Sequence, residues 1–199
     1  IVGIDVEICE AIAKEMGKKL VIDDMAFDSV ITSVQTGKAD LGAAGLTVTE
    51  DRLKNINFSN PYATAAQVII VPTDSAISSP DDLEGKKIGV QLGTTGDIYS
   101  EDIEGATVER YNKGFEAVQA LLQGKVDAVI IDNEPAKVYV SQNPDALIIV
   151  DEAFTYEEYA IAVAKGNDQL LADVNKAIDS LKASGELDRI VAKYINADN

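Results

Sequence analysis

Three short stretches of this sequence carry side chains and backbone groups suited to holding a small charged molecule. The first is Gly45-Leu46-Thr47-Val48-Thr49-Glu50-Asp51-Arg52. Thr47 with Glu50, or Thr49 at the next turn, reads as a helix N-cap. Arg52 then falls in or near the first turn, where the helix dipole favours an acid over a base. Two readings of Arg52 are open: a surface guanidinium paired with Glu50 or Asp51, or one held beside free N–H groups to grip a carboxylate in bidentate fashion. The second stretch is Gln91-Leu92-Gly93-Thr94-Thr95-Gly96-Asp97, between a strand and a helix. It is an ordinary capped turn or a nest of N–H donors for an anion, and it has neither the P-loop ending nor a GxGxxG pattern. The third is Asp132, a carboxylate ending the apolar run Ala128-Val129-Ile130-Ile131. A charge there is costly unless paired, so it caps the helix containing Pro135 or accepts an ammonium.

Taken together these are a cation, a set of N–H and hydroxyl donors, and an anion. An α-amino acid presents the complementary carboxylate and ammonium. Nucleophilic or metal chemistry has little support. The chain has no histidine, which removes the commonest general base and metal ligand. Its one cysteine, Cys9, allows no internal disulfide and reads as a small buried residue on a helix capped by Asp5 and stopped by Gly17, on a face shared with Val6, Ala13 and Met16. No metal site and no cofactor are expected.

Composition narrows the partners. A net charge of −17 disfavours nucleic acid and anionic membrane surfaces. The acids are spread along the chain, which reads as a solvated surface. With 46% apolar and 26% charged residues the chain is globular, and no apolar run approaches the ~20 residues of a membrane span. It opens at Ile1-Val2-Gly3, already close to a helix, without a basic-then-apolar signal segment, and is expected to be a processed chain or a piece of a longer one.

The elements that must position these residues alternate. Strands are expected at 19–23, 39–44, 67–71, 87–91, 107–111, 127–131, 146–150 and 158–164. Helices are expected at 29–36, 50–55, 96–102, 115–123, 134–141, 168–183 and 186–195. Such alternation means α/β with largely parallel sheets. One internal echo organises it. Ser33-Val34-Gln35-Thr36-Gly37-Lys38-Ala39-Asp40-Leu41 matches Ala120-Leu121-Leu122-Gln123-Gly124-Lys125-Val126-Asp127-Ala128: a helix, a Gly stop beside Lys, an Asp and an apolar strand. The spacing of Gly37 from Gly124 is also that of Gly45 from Asp132. Two similar lobes would therefore carry these two residues beyond equivalent strand ends, where open α/β sheets bind ligands.

At this point the sequence resembles the polar amino-acid-binding proteins of bacterial ABC importers, the family of the glutamine-, histidine- and lysine/arginine/ornithine-binding proteins. The markers are Gly3-Ile4-Asp5-Val6-Glu7-Ile8, the Gly45–Arg52 stretch, Phe58-Ser59-Asn60-Pro61-Tyr62, Leu83-Glu84-Gly85-Lys86-Lys87-Ile88-Gly89-Val90 and Gly93-Thr94-Thr95. The resemblance implies a two-lobed, type II periplasmic-binding-protein-like α/β fold, with two mostly parallel sheets flanked by helices and joined by two hinge strands near 71–73 and 162–165. Residues 1–72 with 164–199 would form lobe 1 and residues 73–163 lobe 2. It implies that Arg52 holds the ligand carboxylate with the Thr47 amide and hydroxyl and the Thr95 amide. Gly45 (through its carbonyl), Thr47 and Asp132 would hold the ammonium. Phe27, otherwise a core residue, would flank the ligand side chain beside Asp28, and Gln91 would reach it from lobe 2. The implied function is to capture a free polar L-amino acid between closing lobes and deliver it to an ABC permease, without catalysis. The implied setting is periplasmic or extracellular, with lipid anchoring through an N-terminal segment as one form of it. Two alternatives share the fold: an extracellular sensor module, and a cyclohexadienyl or arogenate dehydratase, which needs a catalytic acid beyond Asp132. Family members carry a further strand and loop before Gly3 that contact the ligand side chain. Without that strand the chain is expected to self-associate or swap elements.

Overall fold

The computed structural model describes residues 1–194. In chain order the helices are α1 (Ile4–Glu15), α2 (Phe27–Gln35), α3 (Glu50–Asn55), α4 (Thr95–Ser100), α5 (Gly114–Leu122), α6 (Asn133–Gln142), α7 (Asp168–Ala183) and α8 (Glu186–Tyr194). The strands are β1 (Leu41–Gly42), β2 (Ile56–Phe58), β3 (Ala63–Pro72), β4 (Lys87–Gln91), β5 (Thr107–Tyr111), β6 (Ala128–Asp132), β7 (Leu147–Ile149), β8 (Thr155–Tyr159) and β9 (Ala162–Ala164). Ile195, expected as the end of the last helix, lies outside the described residues.

Two compact units result: residues 1–64 with 158–199, and residues 65–157. The sequence-based passages, at 72/73 and 163/164, fall later in the chain than these. The physical reason is strand pairing. β3 is committed to the second unit's sheet from Gln67 onward, through β6 and β7, and β9 lies in the first unit's sheet between β1 and β2.

In the first unit, both pairings of β9 are antiparallel, to β1 and to β2. α1, α7 and α8 enclose a core of Ile8, Ile12, Val174, Ile178, Leu181, Leu187 and Ile190. The buried stripe of α1 is Ile8, Cys9, Ile12 and Ala13, so the face expected through Val6 is rotated. Asp5 is not the cap: Gly3 takes that position and Asp5 turns inward. A second cluster (Val34, Leu46, Ile56, Ala162) lies beneath α2. The strand expected at 19–23 does not form. Leu20 packs on the core around α1, but Val21 is 80% exposed and Ile22 44%, so the stretch sets only one of its apolar residues against a core. A strand needs ladder partners as well as β-branched residues.

In the second unit the order is β5-β4-β6-β3-β7, with β8 on β3. β4 runs parallel to β5 and β6, whereas β3 runs antiparallel to β6 and β7. The sheets are mixed rather than mostly parallel. Strands joined by a helical crossover are parallel; β3 and β9, which follow a passage from the other unit, run against their neighbours. Alternation explains the uninterrupted apolar runs. Val68, Ile70, Val129 and Ile131 face one cluster, and Ile69, Val71, Ala128 and Ile130 face the other, so both sheet faces are covered.

The internal echo is structural. Gly37 and Gly124 end their helices at φ of 72° and 65°. In each case the following Lys donates its N–H five residues back, Lys38 to Ser33 and Lys125 to Ala120, both at 2.9 Å. This is the Schellman closure, whose left-handed residue favours glycine.

Candidate ligand-binding site

Four of the seven expected site residues lie in the first unit and three in the second. In the first unit the cap of α3 is Thr49, whose hydroxyl accepts the Arg52 N–H at 3.2 Å. This sets Arg52 on the helix's inner side. The residue is 6% exposed, which removes the surface-pair reading; Asp51 instead pairs with Lys54. The Arg52 Nη1 donates to the Thr47 carbonyl at 2.8 Å, and the guanidinium lies 5.8 Å from the Phe27 ring centroid. Both the carbonyl and the ring face help to orient the guanidinium. Phe27 also packs on the Val34, Leu46, Ile56 and Ala162 cluster, as its reading as a core residue expects. Thr47 is buried and bridges Tyr159.

Gly45 is held from a distance. Its N–H donates to the Asp5 carboxylate at 2.9 Å, and the Tyr62 hydroxyl donates to the same carboxylate. Burial pushes the Asp5 carboxyl above its usual value, against the opposing pull of these two bonds. The Tyr62 phenol is held well above its usual range, first by burial and then by Asp5. The Phe58–Tyr62 motif does its work inside this unit. Ser59 Oγ accepts the Ile161 N–H at 2.9 Å, the Asn60 N–H donates to Asn175 at 2.7 Å, and Tyr62 holds Asp5.

In the second unit, Asp132 ends β6 and makes no side-chain cap bond to α6. Its Oδ1 accepts from Gln67 Nε2 at 2.5 Å. Thr94 caps α4, accepting the Asp97 N–H at 3.2 Å and donating to the Gln91 carbonyl at 2.8 Å. Asp97 returns to the loop by accepting the Gly93 N–H at 2.9 Å, and Arg110 holds its other oxygen at 2.8 Å. The loop is thus fixed by its own side chains, with Thr95 2% exposed behind it. A cavity of about 90 Å³ is lined by Gln67, Gln91, Thr94, Asp132, Pro135 and Tyr139. The Gln91 amide donates to the Asn112 carbonyl at 3.3 Å.

The structure therefore gathers Phe27, Gly45, Thr47 and Arg52 in one unit and Gln91, Thr95 and Asp132 in the other. Sequence reasoning gave no site role of their own to Asp5, Gln67, Asp97 or Glu157. The signal available for Gln67 was an amide opening an otherwise apolar strand. Cys9 is a core residue whose thiol burial pushes up to about 12. Among the described residues, no group of three or more His, Cys, Asp or Glu side chains is placed to hold a metal ion, and no helix is long and apolar enough to cross a membrane.

This α/β architecture in two units is that of the type II periplasmic binding proteins. Over residues 1–197 the chain matches the bacterial extracellular solute-binding proteins, family 3, and it belongs to that family. It is 35% identical over 202 residues to the arginine-binding extracellular protein ArtP of Bacillus subtilis, covering 100% of this chain and 79% of that protein. It is 43% identical to an ancestral arginine-binding protein solved with arginine bound, with a TM-score of 0.93 over 98% of this chain and 88% of that one. The arginine-, lysine-, histidine-binding protein ArtJ of Geobacillus stearothermophilus is 33% identical, with a TM-score of 0.91 over 100% of this chain and 87% of its own.

Proposed function

We propose that this protein captures a free polar L-amino acid outside the bacterial cytoplasm and passes it to an ABC permease. The observation that carries the reading is the buried Arg52 guanidinium, oriented by the Thr47 carbonyl and the Phe27 ring. Such a group suits a carboxylate, and Asp132 in the second unit supplies the opposite charge for an ammonium. In this reading Gly45 and Thr47 add acceptors for the ammonium, and Thr95 adds an N–H for the carboxylate. Gln91 faces the ligand side chain. The relatives that bind arginine, lysine and histidine support a cationic or hydrogen-bonding side chain. The protein acts as a carrier in this reading, and turnover of prephenate or arogenate would overturn it.

A thermal-shift panel of the twenty amino acids tests the proposal. Ligand at 100 times its Kd adds about 2.7 kcal/mol. For a chain of this length that raises Tm by roughly 5–10 °C. At least one polar amino acid should give such a shift, and Arg52→Ala should abolish it while the variant still unfolds cooperatively. A flat panel, or a shift that survives Arg52→Ala, refutes the assignment.

A further inference from the structure

Gln67 pairs directly across the sheet with Asp132 and is 2% exposed. Its Nε2 lies 2.5 Å from Asp132 Oδ1 and 3.3 Å from Glu157 Oε2. An amide nitrogen carries two protons, and here each has one carboxylate to meet. The opposite rotamer would set Oε1 against both carboxylates, so the orientation is fixed by charge. Gln67 Oε1 then faces Gly96, where a Cβ would come within 2.8 Å, and has no hydrogen-bond partner among the described residues. A buried carbonyl left so is unfavourable. The fold accepts that cost to keep the amide pointing at two acids.

The choice of residue type is informative. Lysine or arginine at position 67 would neutralise Asp132. A neutral amide orients the carboxylate without itself bringing a compensating charge. Glu157, itself 7% exposed, is braced by the Thr155 hydroxyl at 3.2 Å. Gln67 and Glu157 also sit near the two ends of the second unit, Ala65 and Glu157, where the chain passes to the first.

We propose that Gln67, braced by Glu157, is a positioning residue that presents the Asp132 carboxylate to the ligand ammonium and ties it to both strands through which the chain passes between its units. This rests on the amino-acid reading above and deepens it.

The test compares L-arginine with 5-guanidinopentanoate, the same molecule without its α-amino group, by titration calorimetry on the full chain. Gln67→Met keeps the length and removes both donors. It should weaken L-arginine at least tenfold and leave 5-guanidinopentanoate within twofold. Glu157→Gln keeps a hydrogen-bond acceptor and removes the charge; it should weaken L-arginine at least threefold, again sparing the analogue, and it decides the matter if Gln67→Met does not fold. Equal losses for both ligands, or no loss for L-arginine, overturn the proposal. If the wild-type chain binds no amino acid, the functional reading fails and this proposal with it. If it binds one and the ratio does not move, this proposal fails alone.

Discussion

Ser59→Ala removes one oxygen from the first unit and tests whether the Phe58–Tyr62 motif is there for the fold. The Ser59 N–H donates to the Ile161 carbonyl and the Ser59 hydroxyl accepts the Ile161 N–H, both at 2.9 Å. Ile161 is 0% exposed and belongs to the core around α1 and α7. Alanine keeps the first bond and deletes the second. The Ile161 N–H is then buried without an acceptor, at a cost of about 1–3 kcal/mol. At the centre of that range the folding equilibrium falls roughly 30-fold. The corresponding drop in Tm is about 4–8 °C for a chain of this length. Urea unfolding followed by tyrosine fluorescence reads the change in midpoint, with the slope unaltered. Amide exchange at Ile161 reads it locally, as lost protection at that position ahead of its neighbours. A loss under about 0.5 kcal/mol, the ordinary scatter of surface substitutions, refutes the reasoning. So does undiminished protection at Ile161.

Two further outcomes follow from other contacts. Burial raises the Asp5 carboxyl above 3.8, so the unfolded chain gives up this proton before the native one does. Its contribution to stability is complete below pH 3.8 and declines as pH rises through the native value. Asp5→Asn can still accept from Gly45 and donate to Tyr62, so its stability relative to wild type should improve between pH 4 and pH 7; a difference that stays flat in urea melts at the two pH values sinks the argument. Gly96→Ala ordinarily helps a helix, but here the new Cβ would lie 2.8 Å from Gln67 Oε1, 3.1 Å from Ile130 Cγ2 and 3.2 Å from the Ile130 carbonyl. It should destabilise by about 1–3 kcal/mol in denaturant titration, and a neutral or stabilising result contradicts the packing described.

Much of the second unit was legible because its strand-forming segments, the central ones apolar, are bounded by turn residues. β4 and β5 begin and end where the pattern places them. The first unit was harder. The stretch 158–164 reads as one strand but divides into β8 and β9. Ala160 and Ile161 between them bond instead to Leu46 and Ser59. β2 is only Ile56–Phe58, too short for periodicity to declare. In the candidate site, Arg52 and Asp132 were visible because each is a charge set against an apolar neighbourhood. Gln67 and Asp5 were not, since their partners lie 65 and 40 residues away in sequence. The identity of a polar residue says that it needs a partner. Only the folded topology says which.

The first unit's division into two chain segments has a consequence for biogenesis. Residues 65–157 form an unbroken stretch with its own core, and their synthesis is finished before residue 158 is added. The apolar stripe of α1, with Ile8 and Ile12, has no such local partners. It must await Val174, Ile178 and Leu181, which are made last. At about 5–20 residues per second the ribosome takes roughly 1–5 s to pass from residue 157 to Leu181. Through that interval the second unit can already be native while α1 remains an exposed amphipathic segment, the natural target for a chaperone that attends the nascent chain.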